Sequence, residues 1–236
     1  MLIDFVMNAS KYRNKTLQIS FAVIMTAILY AQSMSAQDWL DSNWDYRIPV
    51  TITNSGETLM DYQTEVSLNA TFPWDHTNSN GSDIRITDSD GTTELSYWIE
   101  SWASGTSAAI WVKVPALSTG ETTIYIYYGN PAATTSTANG DDTFIFFDDF
   151  TAETIDAAKW IVIGSPTVSI VDDDGNNVLQ VVAPAQHFNY LVSLNESFTD
   201  FVLETKVMMQ YDLNNSCTPE IAFRYTDNSN NYITML

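Results

Sequence analysis

The sequence predicts an all-β chain: two consecutive antiparallel β-sandwich domains behind an N-terminal leader, with the second domain incomplete. Three observations carry this. Apolar and polar residues alternate with period two from Trp44 onward, turn-forming clusters break the alternation at short intervals, and no segment after the leader offers the stripe of a long helix. Short strands at regular spacing with such turns bury themselves as facing sheets.

Residues 1–36 read as a secretory signal peptide. Lys11, Arg13 and Lys15 form a basic flank, Leu17 to Ala31 an apolar core, and SMSAQ a stretch of small and polar residues at the cut, placed near Ala36. The apolar run is about 15 residues, short of the roughly 20 that cross a bilayer. An uncleaved single-pass anchor is the alternative, and the long flank leaves room for a start at Met7.

The first sandwich is expected over 37–130. In RIPVTIT, Ile48, Val50 and Ile52 share a face; in YQTEVSL, Tyr62, Thr64, Val66 and Leu68 do; in DIRIT, Ile84 and Ile86 do. In AIWVKV the shared face holds Ile110, Val112 and Val114, and in TIYIYY it holds Ile124, Ile126 and Tyr128. Turn chemistry separates them at Asn54-Ser55-Gly56, Asn80-Gly81, Asp90-Gly91, Ser104-Gly105 and Ser118-Thr119-Gly120. The small, polar stretch 131–143 reads as a linker. A second strand-rich domain follows over 144–236, with a turn at Asp173-Asp174-Gly175-Asn176. It finishes on a strand, YITML, whose partner does not follow, so the domain is expected to be incomplete.

The formal charge is −20, from 9 basic and 29 acidic residues. The leader holds three of the basic residues and one acid, so its removal leaves about −22. Nucleic acid and anionic membrane surfaces are poor partners for such a chain. Cys217 is the single cysteine, so no internal disulfide can form and stability rests on burial.

At WDYRIPVTITNSG, GSDIRITDSDGTTELSYWIESW, AAIWVKVPALSTGETTIYIYYGNP and FIFFDDF the chain resembles domain-of-unknown-function family 2341, over roughly residues 40–130. That family occurs in secreted multidomain proteins and has no established activity, so the resemblance implies location and further domains, not chemistry. Residues 144–236 are similar to the first part of a concanavalin A-like, laminin-G-like jelly roll, at FFDDF, AAKW, FTDFVLETKV and AFRYTDNSNNYITML. Jelly rolls of that type can hold calcium between loops, which makes Asp148 and Asp149 candidate ligands and calcium a candidate cofactor.

The candidate ligand-binding residues are aromatic. In SYWIESW, strict alternation puts Trp98, Glu100 and Trp102 on one face; the corresponding faces of the next two strands carry Trp111 and Lys113, then Tyr125 and Tyr127. If those strands are neighbours, one surface carries a band of rings with polar groups between them. That is what the face and hydroxyls of a sugar require. The same rings equally suit buried packing, since strands favour aromatics for that purpose.

Elsewhere the signals are weak. Asp83, Asp88 and Asp90 surround one turn and Asp172 to Asp174 another, without the spaced pattern of a calcium loop. His76 and His187 lie far apart in loop-like surroundings, and with one cysteine they do not make a zinc site. No nucleophile elbow, phosphate loop, dinucleotide fingerprint or E-x-D-x-x-E string occurs. The expectation is a secreted or cell-surface, non-catalytic module that binds carbohydrate or glycan surfaces. The alternatives are a structural or adhesin spacer in a larger surface protein, and an accessory part of a glycoside-active enzyme whose catalytic residues lie outside this chain.

Overall fold

The structure is a computed structural model describing residues 2–8, 38–182, 191–194, 202–208, 220–227 and 230–235. The expected leader lies outside these residues except for one strand, β1 (Leu2–Asn8). His187 and Cys217 also lie outside them. No helix among the described residues is long and apolar enough to cross a membrane.

The chain is all-β, in antiparallel sheets, and divides into two compact units. One comprises Met7–Phe147 with Asp200–Val202; the other comprises Met1–Val6, Asp148–Thr199 and Leu203–Leu236.

The first unit holds β2 (Tyr46–Asn54), β3 (Leu59–Leu68), a 3-10 turn (Trp74–His76), β4 (Arg85–Thr87), β5 (Tyr97–Ala103), β6 (Ser107–Leu117), β7 (Gly120–Tyr128) and the one-turn helix α1 (Gly140–Thr143). Its strands form two three-stranded sheets, β2-β7-β4 and β3-β6-β5. Alternation decides which side of each strand is dry. Val50 and Ile52 of β2, Ile86 of β4, and Ile124, Ile126 and Tyr128 of β7 meet Val66 and Leu68 of β3, Tyr97 of β5, and Ile110, Val112 and Val114 of β6 in one apolar core. Every one of these is less than a tenth exposed, so the two sheets are the two halves of a sandwich. Thr64, on β3 opposite Val112, carries a buried hydroxyl for which the described residues provide no hydrogen-bond partner.

The stretch 131–143 differs from the expected linker. Ser82 Oγ donates to Ala133 O at 2.7 Å, Asn78 Nδ2 donates to the same oxygen at 3.0 Å, and Asn139 N donates to Tyr97 O at 2.8 Å. Ala138 packs on the core, and the Asn139 side chain caps α1 by accepting from the backbone N–H groups of Asp141 and Asp142. Small, polar residues looked structureless because their hydrogen bonds go to partners far away in sequence. The boundary between the units accordingly falls at Phe147–Asp148.

Two tryptophans fasten the segment that precedes β2 to the outer side of sheet β2-β7-β4. Tyr127 faces Arg47 of β2 and Arg85 of β4 across the strands. The Arg47 guanidinium lies 4.6 Å from the Trp39 ring, and the Arg85 guanidinium lies 5.1 Å from the Trp44 ring. Trp44 Nε1 also donates to Asp83 O at 2.7 Å.

The second unit includes the antiparallel hairpins β10 (Thr167–Asp173) with β11 (Asn176–Val182) and β14 (Glu220–Asp227) with β15 (Asn230–Met235). β9 (Trp160–Ile163) pairs with β12 (Leu191–Leu194). β8 (Phe146–Asp148) and β13 (Val202–Met208) each cross the division between the units. Asp174 and Gly175 both take positive φ, 54° and 87°, the conformation a two-residue hairpin turn demands. The turn is where the sequence placed it.

Candidate functional site

The expected aromatic band divides into three separate groups. Trp98 on β5 and Trp111 on β6 are directly opposite, on the outer side of sheet β3-β6-β5. The Trp111 indole donates to Glu100 Oε2 at 3.0 Å. Both rings are then capped: Phe144 sits 6.0 Å from Trp98 and 5.7 Å from Trp111, and Phe147 sits 4.8 Å from Trp98. Lys113 Nζ reaches the same covering segment at Asp142 O. Here the two half-buried rings pack against the chain itself.

Trp102 is on the other face of β5. Ile99 pairs with Ile110 and Ser101 with Ala109, so Glu100 is an extra residue, a β-bulge. Strict alternation would keep Trp98, Glu100 and Trp102 together; one inserted residue turns Trp102 inward, opposite buried Ala108. Tyr125 and Tyr127 are on β7, which belongs to the opposite sheet from β6. The premise of neighbouring strands therefore fails for them. Arg47 lies 4.3 Å from the Tyr125 ring, and buried Tyr127 donates to Gly91 O at 2.8 Å while accepting from Arg47 at 2.7 Å.

A different group of rings gathers at one end of the sandwich, where β2 begins, β7 and β3 end, and β5 finishes. His76 stacks on Tyr46 at 4.5 Å, and Tyr46 on Tyr128 at 5.4 Å. Tyr128 touches Phe72 at 5.1 Å, Phe72 touches Trp74 at 5.0 Å, and Trp74 meets Trp102 edge-on at 5.1 Å. Phe72 and Tyr128 are buried footings. Tyr46 is 39% exposed, the His76 side chain 44%, and Trp74 and Trp102 are half-buried. These four are two partly exposed pairs, His76 with Tyr46 and Trp74 with Trp102, joined underneath by buried Tyr128 and Phe72.

The row is built rigidly. Trp74 Nε1 donates to Asn69 O and Trp102 Nε1 to Ser79 O, both at 3.0 Å, so each indole is pinned at its polar corner. Two glycines seat its ends. A Cβ on Gly81 would lie 2.8 Å from the Trp102 ring, and one on Gly129 would lie 2.5 Å from Tyr46; both glycines have positive φ, 68° and 89°. Buried Asp83 stabilises the turns beneath, accepting from Asn78 N at 2.9 Å and Gly129 N at 2.8 Å. Burial raises the Tyr128 phenol above its ordinary value, and the neighbouring Tyr46 and Asp75 add to the rise.

Sequence reasoning missed Tyr46, Trp74 and His76 as a group. A signal was present in TFPWDH, where a tryptophan and a histidine fall in a loop with no strand to require them.

The acidic turns are satisfied internally. Asp90 accepts from Thr92 N, Thr93 N and Thr93 Oγ1, which holds its carboxyl down at about 2. Asp148 accepts from Phe150 N at 2.9 Å and from Trp160 Nε1 at 2.6 Å; Asp149 accepts from Thr151 N and its hydroxyl. No group of three or more metal-ligating side chains occurs among the described residues, so Asp148 and Asp149 gain no third acidic ligand there.

Fold and site define a class: an all-β protein whose antiparallel sandwich exposes a row of rings at one end. Residues 80–163 match the family described as a domain of unknown function (DUF2341), a span running from the turn before β4 through β9. It shares residues 80–130 with the resemblance read from the sequence and extends beyond it into the second unit. The matched span contains Gly81, Asp83, Trp102 and Gly129, the seat of the row, but not Tyr46, Trp74 or His76. No curated protein matches the chain, and no solved structure does.

Proposed function

We propose that the protein is a secreted or cell-surface, non-catalytic binding module that holds carbohydrate on the aromatic row of its first sandwich. The observation that carries this reading is the exposure of Tyr46 and His76 beside half-buried Trp74 and Trp102, with Tyr46, Trp74 and Trp102 fixed by hydrogen bonds or glycine seats and His76 stacked on Tyr46. Water-facing rings held in place lose little entropy on binding and offer apolar faces to the C–H side of a pyranose. Asn69 and Asp75 bring polar groups to the edge of the same surface for directional bonds to hydroxyls. Secretion is supported by the leader-like pattern of residues 1–36, and the second unit is proposed as part of a concanavalin A-like jelly roll in a larger surface protein. Calcium is kept there as a candidate cofactor at Asp148 and Asp149.

The test is affinity electrophoresis of the chain through gels containing soluble polysaccharides. Retardation in at least one gel that disappears in the Tyr46→Ala, Trp74→Ala double variant supports the reading. Unretarded migration in every gel overturns it and leaves the spacer role, which the self-packed Trp98–Trp111 pair favours.

A further inference from the structure

We propose that the aromatic row selects by charge, taking sugars that bear amino groups ahead of neutral ones and rejecting those that bear carboxylates or sulfates; this rests on the glycan reading of the row. Asp75 sits in the 3-10 turn between Trp74 and His76, its side chain 81% exposed and its carboxylate 3.9 Å from His76 Nε2. Asp45 precedes Tyr46, and both border Gly129.

Among the described residues, the lysines and arginines of this unit are all committed elsewhere. Between residues 38 and 147 the sequence has Arg47, Arg85 and Lys113 as its lysines and arginines, and one histidine, His76, which is in the row beside Asp75. Arg47 and Arg85 are under Trp39 and Trp44 on the outer side of sheet β2-β7-β4. Lys113 is bonded to Asp142 O on the outer side of the other sheet. Among the described residues the row therefore combines ring faces, which carry negative quadrupole density, and the His76 imidazole with carboxylates and no lysine or arginine.

An ammonium group lying on such a surface gains a cation–π contact and an ion pair together. A uronate or sulfate meets repulsion from the same groups and from a chain of formal charge −20. Because Asp75 is solvated, its pair is a weak one, worth a change in affinity of about threefold.

The experiment is calorimetric titration of the full chain, at about 0.15 M salt to screen distant charges, with tetrasaccharides of glucosamine, N-acetylglucosamine and galacturonate. The expected order is glucosamine over N-acetylglucosamine, with no galacturonate binding. Asp75→Asn is expected to lower glucosamine affinity about threefold and to leave N-acetylglucosamine affinity unchanged. Trp74→Ala is expected to abolish both. Equal affinity for all three sugars overturns charge selection while the glycan reading stands; no binding of any overturns both. Glucosamine binding that survives Trp74→Ala reveals diffuse attraction to the acidic surface and also overturns the proposal.

Discussion

Trp98 and Trp102 are four residues apart on one strand yet lie on opposite faces of it, because Glu100 is inserted between the pairs Ile99–Ile110 and Ser101–Ala109. Trp98 therefore packs under Phe144 and Phe147, while Trp102 joins the row at the sandwich end. Two tryptophans equivalent by spacing have been given different work.

This separation predicts different phenotypes. Trp98→Ala should cost about 2–3 kcal/mol of stability, somewhat under the loss for a fully buried tryptophan, without altering carbohydrate affinity. Trp74→Ala should abolish binding at a smaller cost in stability. Urea denaturation beside affinity electrophoresis measures both; a Trp98→Ala chain that folds as well as the parent would contradict the packing assignment.

Gly81 is a seat that no other residue can occupy without strain. A side chain there must adopt positive φ and displace the Trp102 ring. Gly81→Val is expected to destabilise by about 2 kcal/mol or more and to change the fluorescence of Trp102. Gly105 also has positive φ but has nothing within 4 Å of an added Cβ. Gly105→Ala should therefore show the backbone cost alone, about 1 kcal/mol.

Thr64→Val should stabilise the sandwich. The hydroxyl is buried in the core face of β3 without a partner among the described residues, and valine is nearly the same shape. Removing an unsatisfied buried group is worth about 1 kcal/mol, readable as a higher urea midpoint with an unchanged slope. A lower midpoint would mean the hydroxyl is bonded in solution.

Both ends of the pH scale should weaken the fold, for opposite reasons. Asp90 is ionised down to about 2 when folded and titrates near 3.8 as an ordinary carboxylate. Its contribution is complete above the ordinary value and is lost as pH falls through the folded one. Tyr128 is shifted the other way, from 10.0 upward by burial and then by Tyr46 and Asp75. The folded state holds that proton more tightly, so stability is present below 10.0 and declines as pH rises past it. Asp90→Asn should flatten the acid limb of a midpoint-versus-pH curve, and Tyr128→Phe the alkaline limb.

Much of the sandwich was legible in the residues. The inward sets Val50 with Ile52, Val66 with Leu68, and Ile110 with Val112 and Val114 are the core faces that the alternation marks. The turn at Asp174-Gly175 was equally readable, since positive φ restricts the residue type at that point. The candidate site was not. Trp98 and Trp111 could be put on one face only if their strands were neighbours, and their cover, Phe144 and Phe147, lies beyond a stretch of small polar residues that looked like a linker.

The sequence by itself determined the strands and their dry sides, because pleating is a local property and each residue reports its own face. Tertiary structure alone decided that β6 and β7 part into different sheets, that Glu100 shifts the register, and that Tyr46, His76, Trp74 and Trp102 meet at one end. Those outcomes depend on pairing between distant segments, where a single inserted residue reverses every side chain that follows it.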